Sequence, residues 1–227
     1  MTMIKTNESG RSMIEMLGVL AIIGVLSVGG IAGYSKAMNK FKTNKVADNV
    51  SMLVANIKTM YAQQNSFDGL TSTSAVKMGL VPDELVAEYP QDNGDATLTN
   101  AYNGSVEINA SNSVGTTAGS NADDALSFNI VFTGLSKEAC ITLATNDWGS
   151  GFSSGLIGMS VSKAAQTFKS DAGVTMGCSG TASADVANSP QIACPGGDTP
   201  LPMPVAQAAA ACKCDNGNTC SILWKYY

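Results

Sequence analysis

Residues 12–35 read SMIEMLGVLAIIGVLSVGGIAGYS and contain a single charged side chain, that of Glu15. At about 1.5 Å per residue this stretch forms roughly 36 Å of helix, which is enough to cross a hydrocarbon layer of about 30 Å. A cleaved secretory signal peptide is the alternative, but the apolar run is longer than a typical signal core and no small-residue cleavage site closes it. The stretch therefore predicts a membrane-spanning helix.

Helical periodicity continues beyond this span. Apolar side chains recur mostly three and four residues apart, at Tyr34, Met38, Phe41, Val46, Val50, Leu53, Ile57, Met60 and Tyr61. We expect one helix from near Ser12 to Gln64, apolar all round in its first half and amphipathic in its second. The second half should therefore lie on a globular domain that begins after it.

The composition excludes several classes of function. The 227-residue chain has no histidine, and charged residues make up 14% of it, whereas an average soluble domain has about 25%. Without imidazole there is no Ser-His-Asp or Cys-His nucleophile pair and no His-based zinc site. The net charge of −5 argues against a nucleic-acid-binding protein. We therefore predict that the chain is not an enzyme and uses no catalytic residue, cofactor or metal.

Three short strings look catalytic or metal-binding in isolation. Residues 151–155 fit GxSxG, residues 160–163 fit SxxK, and residues 92–95 read DNGD. A GxSxG serine needs a histidine base, SxxK needs its companion motifs, and DNGD lacks the spacing and closing glutamate of a calcium loop. We interpret them as a glycine-serine loop, a chance match and a turn.

Glu15 needs a specific explanation. A carboxylate inside an apolar membrane helix costs about 2.5–3.5 kcal/mol to insert, and such groups normally have a partner. No basic residue follows Glu15 until Lys36, more than five helical turns later. We therefore expect its partner to come from outside this segment.

Residues 8–15, ESGRSMIE, resemble the leader junction of type IV pilins, in which a short polar leader ends in glycine and a glutamate stands five residues after it. The resemblance implies that a prepilin peptidase cuts after Gly10 and that Arg11 becomes an N-methylated terminus. It also implies that Glu15 pairs with the amino terminus of a neighbouring subunit and fixes the assembly register. The implied divisions are a leader (1–10), a transmembrane and filament-core half-helix (11–35), an amphipathic half-helix (36–64) and a globular α+β head (65–227).

The apolar helix is rich in glycine, which costs up to about 1 kcal/mol at each helix-interior position. The residues concerned are Gly18, Gly24, Gly29, Gly30 and Gly33. Two interpretations remain open. Gly29 and Gly33 form a GxxxG pair that allows close helix approach, or the segment with Gly29, Gly30 and Gly33 loosens in the assembled filament.

Six cysteines come after the span: Cys140, Cys178, Cys194, Cys212, Cys214 and Cys220. Their even number and the absence of CxxC spacing predict three disulfides in an oxidising compartment. Of the fifteen possible pairings we favour Cys214 with Cys220 across a short turn, Cys178 with Cys194, and Cys140 with Cys212. A zinc site made by Cys212, Cys214 and Cys220 is the alternative.

Charge is distributed unevenly, with +4 over residues 36–58 and −9 over residues 59–227. Lysines just after a span favour a cytoplasmic location for the C-terminal domain, but the cysteines and the leader motif both indicate export. We call Lys36, Lys40, Lys42 and Lys45 the lysine collar. It is predicted to contact the acidic head of another subunit.

The head shows short local signals. We predict a helix over residues 74–80, strands over 105–109 and 126–133, a helix from Ser136 as N-cap to about Thr145, and a final strand over 220–227. Leu126, Phe128, Ile130 and Phe132 are expected to share one face of the second strand, and residues 195–204 are predicted to form a proline-rich extended loop. The segment GLSKEACITL over residues 134–143 resembles class b pilins.

These observations predict an α+β type IV pilin fold and a major structural subunit that polymerises with identical subunits into a surface filament. Its partners would be the prepilin peptidase, the inner-membrane assembly platform and, before assembly, the membrane. The chain would cross the inner membrane once with its head in the periplasm, and would later be extracellular in the pilus. A minor pilin or secretion pseudopilin is the first alternative, and a membrane-anchored binding protein that never polymerises is the second.

Overall fold

The structure is a computed structural model that describes residues 13–91, 94–111, 125–149, 154–162, 174, 191–197, 199–214 and 219–227. Its helices are α1 (Met13–Tyr61), α2 (Ser72–Lys77), a 3₁₀ turn (Asp83–Leu85), α3 (Lys137–Ala144) and α4 (Val205–Ala211). Its strands are β1 (Val86–Glu88), β2 (Thr97–Leu98), β3 (Val106–Ser111), β4 (Ser127–Leu135), β5 (Leu156–Ser162), β6 (Gln191–Ala193) and β7 (Cys220–Tyr226).

The long first helix is present as predicted, and it is continuous through its glycines. Its 49 residues include a segment that is long and apolar enough to cross a membrane, judged by length and composition. The chain divides inside α1 into two compact units, Met1–Phe41 and Lys42–Tyr227. The second unit contains the sheet and helices α2, α3 and α4 as well as the end of α1.

Within the second unit, α1 buries one stripe of side chains. The stripe consists of Thr43, Val46, Asn49, Val50, Leu53, Ile57 and Tyr61. Their spacing of mostly three and four residues keeps them on one helix face. The apolar members of the stripe, from Val46 to Tyr61, belong to a core with Phe128, Ile130, Phe132, Ile222 and Trp224 from the sheet. This confirms the prediction that the amphipathic half of α1 lies on the globular domain.

The main sheet has the order β3-β4-β7-β5-β6, and all neighbouring strands are antiparallel. The C-terminal strand β7 is central, because Ile222 is paired with Phe132 on one side and with Val161 on the other. A small antiparallel pair, β1 with β2, lies outside this sheet. The last strand of the sequence therefore holds the two halves of the sheet together.

Strand β4 differs from the prediction of one buried face. Phe128, Ile130 and Phe132 are buried as expected, but Leu126 lies before the strand and is 46% exposed. The opposite face is buried too, since Val131 belongs to a second cluster with Ile157, Val174, Cys194 and Leu223. A sheet covered on both faces has no solvent-facing side to mark by alternation.

Other elements differ from the sequence-based expectations at their ends or were not predicted. Helix α2 starts two residues early because the Thr71 and Ser74 side chains form a capping box. Strand β3 is shifted by one to two residues, and α3 has the predicted Ser136 cap, whose hydroxyl accepts from the Ala139 amide. Strands β1, β2, β5 and β6 and helix α4 had no sequence prediction.

Candidate functional site: the exposed apolar helix and the disulfide-braced head

The first half of α1 exposes an unbroken apolar surface. Every large hydrophobic side chain from Met13 to Tyr34 is between 52% and 85% exposed, and no residue between 13 and 36 is buried. Soluble monomers rarely expose contiguous apolar patches larger than a few hundred Å². This surface is therefore suited to a lipid bilayer or to other apolar helices.

Glu15 lies in the first turn of α1 and is exposed. A carboxylate there is favoured by the positive end of the helix dipole. Within the described residues the one salt bridge joins Lys45 to Glu84, so Glu15 has no described ionic partner. Gly10 and Arg11, the predicted cleavage and methylation positions, lie outside the described residues.

The glycines of this half-helix have open space around them in the part of the chain that the structure describes. Apart from adjacent residues and the nearby backbone of the same helix, a methyl group placed on Gly18, Gly24, Gly29, Gly30 or Gly33 would meet no described atom within 4 Å. Glycine weakens a helix relative to alanine, and no packing contact among the described residues compensates for that loss.

Two disulfides brace the end of the head. Cys140 in α3 is bonded to Cys212 at the end of α4, across 72 residues of sequence. Cys214 is bonded to Cys220, the first residue of β7. Both pairings are those that the sequence analysis favoured, and they occupy all three sulfurs of the alternative zinc site. Cys194 is also disulfide-bonded, and its predicted partner Cys178 lies outside the described residues.

Lys58 is a structural residue that the sequence analysis counted only as a positive charge. Its Nζ donates to the Ser154 carbonyl at 2.7 Å and lies 5.4 Å and 5.7 Å from the ring centroids of Tyr226 and Tyr227. Burial lowers the pKa of Lys58 and raises the pKa of Tyr226. Lys58 thus connects α1 to the end of β7. Lys58 stands two helical turns after Ser51 in the helix, and no sequence pattern around it indicates a contact with β7.

Part of the lysine collar is used inside the chain. Lys45 forms a salt bridge of 2.9 Å with Glu84, and the Nζ of Lys42 lies 5.6 Å from the centroid of the Tyr102 ring. Lys36 and Lys40 are exposed. The predicted contact with another subunit therefore depends mainly on these two lysines.

The three discounted strings lie in ordinary surroundings where the structure describes them. Ser154 in residues 151–155 donates its hydroxyl to the Gly149 carbonyl, and Ser160 is a buried residue of β5. Asp95 accepts a hydrogen bond of 3.3 Å from Thr73. Residues 92–93, residues 151–153 and Lys163 lie outside the described part of the chain.

The proline-rich segment, residues 195–204, leads into α4, whose N-cap is Pro204.

Comparison with known proteins identifies the family. A profile of the family described as PilS N terminal matches residues 40–189. The major structural subunit of the bundle-forming pilus of Escherichia coli O127:H6 (strain E2348/69 / EPEC) is 27% identical over 145 residues, which cover 64% of this chain and 68% of that protein. The subunit of the same name from Escherichia coli O111:H- gives the same values.

Two crystal structures of pilins are also similar. The type IV b pilin from Salmonella typhi has a TM-score of 0.43 and 16% identity, with 77% of this chain and 93% of that chain covered. TcpA, a type IV pilin from Vibrio cholerae El Tor biotype, has a TM-score of 0.43 and 14% identity, with coverages of 82% and 99%. Because the profile match covers more than half of this sequence, the chain belongs to the family described as PilS N terminal.

Proposed function

We infer that this chain is a structural subunit of a type IV pilus, and we propose that the first half of α1 is the surface through which identical subunits assemble. The observation that carries the proposal is the exposed apolar surface from Met13 to Tyr34. Burial of apolar area contributes roughly 25 cal/mol per Å². Packing such helices against one another would bury hundreds of Å² per subunit and stabilise a filament core.

Before assembly the same surface would hold the chain in the inner membrane. The length and composition of this part of α1 suit a single span. The head would then lie in the periplasm, and it would become extracellular in the filament. Its disulfides support this location, since such bonds persist in oxidising compartments.

Maturation would release the charged partner that Glu15 needs. We propose that a prepilin peptidase cuts between Gly10 and Arg11, after which the terminus is N-methylated and the assembly platform draws the subunit into the filament. The new amino terminus of one subunit can then pair with Glu15 of its neighbour. An unpaired carboxylate in the apolar core is costly, so the pairing would fix the register of each added subunit.

The glycines of α1 support close contact between subunits. Open space around Gly29, Gly30 and Gly33 in the single chain lets a neighbouring helix approach the backbone, as in GxxxG contacts. Loosening of the helix at these residues in the filament remains the second interpretation. A filament map distinguishes them, because regular helix through residues 29–33 would exclude loosening.

The proposal is tested on filaments sheared from cells that express this chain. Electron microscopy should show thin filaments in the sheared fraction, and mass spectrometry of that fraction should find an N-terminal peptide that begins at Arg11. Absence of filaments, with the uncut chain retained in the membrane, would contradict assembly. Filaments built from chains that keep residues 1–10 would contradict only the maturation step.

A major subunit is favoured over a minor pilin or a pseudopilin. The relatives from Escherichia coli are named as major structural subunits, and one of them is matched over 68% of its length. Quantification of this chain in the sheared fraction provides the check. As a major subunit it should be the most abundant protein there, whereas a minor pilin would be a trace component.

A further inference from the structure

The two disulfides at the end of the head lie against each other. The sulfur atoms of Cys140, Cys212 and Cys220 are all within 4.8 Å of one another, and all three residues are fully buried. Cys140 and Cys212 form one bridge, whereas Cys220 belongs to the other. A sulfur of the second bridge therefore lies beside both sulfurs of the first.

The fold itself produces this arrangement. Cys220 is paired with Leu135 at the end of the β4–β7 ladder, and α3 begins two residues after Leu135. Cys140 is thus placed one helical turn into α3, next to the start of β7. Cys212 reaches the same place from the end of α4. Strand pairing places Cys220 beside the start of α3, and the end of α4 places Cys212 there as well, so the three sulfurs lie together.

We propose that Cys140, Cys212 and Cys220 form a thiol–disulfide exchange set within the folded head, and that Cys214 ends the exchange by capturing Cys220. In a chain bridged between Cys212 and Cys220, the Cys140 thiolate attacks the Cys212 sulfur. The Cys140–Cys212 bond forms, the Cys212–Cys220 bond breaks, and the electron pair leaves on the Cys220 sulfur. This step is redox-neutral and needs no external reagent.

The released Cys220 then pairs with Cys214. That second bond requires a disulfide oxidant of the exporting compartment, which takes up two electrons and two protons from the two thiols. In a chain bridged between Cys140 and Cys220, the corresponding attack is by Cys212 on the Cys140 sulfur. Both mispaired forms therefore converge on the two bridges of the native structure.

Local mispairing makes such a correction useful. Cys214 and Cys212 are six and eight residues before Cys220. In a flexible chain, the difference in loop length favours the shorter loop by only about 1.5-fold. An unfolded chain would thus close either bridge at a similar rate. The exchange set would convert the wrong bridge into the native pair once α3 has packed beside β7.

The test uses the full-length Cys214→Ser variant in detergent, with Cys220→Ser as the matched control. Thiols are alkylated after an acid quench, and the pairing is read by peptide mapping. Trypsin cleaves after Lys213, between Cys212 and Cys214, and an Asp-specific protease cleaves before Asp215, so each cysteine is assigned separately.

In Cys214→Ser we expect the alkyl label to be divided between Cys220 and at least one of Cys140 and Cys212. Chains labelled at Cys140 should carry a Cys212–Cys220 bridge, and chains labelled at Cys212 should carry a Cys140–Cys220 bridge. In Cys220→Ser we expect the label on Cys214 alone and only the Cys140–Cys212 bridge. Label confined to Cys220 in the first variant would overturn the proposal, as would equal scrambling in the control.

A second measurement covers the case in which either variant fails to fold. The wild-type chain is reduced, unfolded and reoxidised, and samples are quenched over time. Chains bridged between Cys212 and Cys220 or between Cys140 and Cys220 should accumulate early. Once further oxidant is removed, they should convert to chains with the Cys140–Cys212 bridge and free Cys214 and Cys220 thiols. Restoring the oxidant should then form the Cys214–Cys220 bridge. Mispaired chains that persist unchanged under those conditions would also overturn the proposal.

Discussion

The two halves of α1 are covalently one helix, yet they satisfy their apolar side chains in different ways. The half from Lys42 to Tyr61 buries seven residues in the core of the head, whereas the half from Met13 to Tyr34 buries none within the chain. The half from Lys42 to Tyr61 is stabilised by the sheet of its own chain. The half from Met13 to Tyr34 needs lipid or other subunits to cover its apolar surface. A substitution should therefore affect folding in one half and assembly in the other.

Loss of the Glu15 carboxylate should have the largest effect on assembly. We expect Glu15→Ala to abolish filaments while the melting temperature of the head stays unchanged, because Glu15 makes no described contact inside the chain. Electron microscopy of the sheared fraction and thermal unfolding of the full chain in detergent measure the two quantities. The control Asp48→Ala removes an exposed carboxylate from the other half of α1 and should leave filaments intact. Normal filaments from Glu15→Ala would show that the register does not depend on this charge.

In the second half of α1, Leu53→Ala should destabilise the head by about 2–5 kcal/mol, as expected when a fully buried leucine is truncated. The adjacent Met52 is 49% exposed, and Met52→Ala should change stability by about 0.5 kcal/mol or less. Denaturant unfolding of the full-length chain in detergent measures both. Equal losses in the two variants would mean that α1 has no distinct buried stripe.

Alkaline pH should weaken the contact between α1 and β7. Burial raises the pKa of Tyr226 above its ordinary 10.0, so above pH 10 the unfolded chain loses a proton that the folded chain keeps, and stability falls as pH rises. Lys58 acts in the opposite direction, since its lowered pKa gives a gain that is complete once the pH exceeds 10.5. The tyrosine effect should thus dominate above pH 10.5.

The check is thermal unfolding of the full-length chain at pH values from about 9 to about 11.5. This range spans the ordinary tyrosine pKa of about 10. Tyr226→Phe should reduce the alkaline loss of stability, whereas Tyr227→Phe, at a more exposed ring, should leave it close to that of the wild type. The prediction fails if Tyr226→Phe and the wild type lose stability in parallel.

The smallest effect is expected from the exposed part of the lysine collar. If Lys36 and Lys40 contact acidic heads of other subunits, filaments should shear more easily at high salt, because the screening length falls from about 10 Å at 0.1 M to about 3 Å at 1 M. The double variant Lys36→Gln and Lys40→Gln should show this weakness already at low salt. Lys45→Gln is the control, since its partner Glu84 lies in the same chain. Filaments indifferent to salt would exclude the contact.

Much of the candidate site could be predicted from sequence because its signals are local. Each of three features can be recognised from residues within a few helical turns of one another: the apolar span, the isolated Glu15 and the buried stripe of α1. The Ser136 cap and the Cys214–Cys220 bridge depend on residues three and six positions apart. Strand β5 was not predicted. Its sequence LIGMSVS contains glycine, which is a weak strand former, two serines, which do not favour a strand, and few β-branched residues.

By itself the sequence determined a long helix with an apolar and an amphipathic half, a single carboxylate in the apolar half, and a cysteine-rich segment after that helix. Only the tertiary structure decided that β7 is the central strand, that the sheet is covered on both faces, that Lys58 connects α1 to Tyr226, and that Cys220 lies beside the Cys140–Cys212 bridge. Helix periodicity repeats every few residues and can be read along the chain. Strand neighbours and contacts between distant side chains depend on how separate segments pack, which no local pattern encodes.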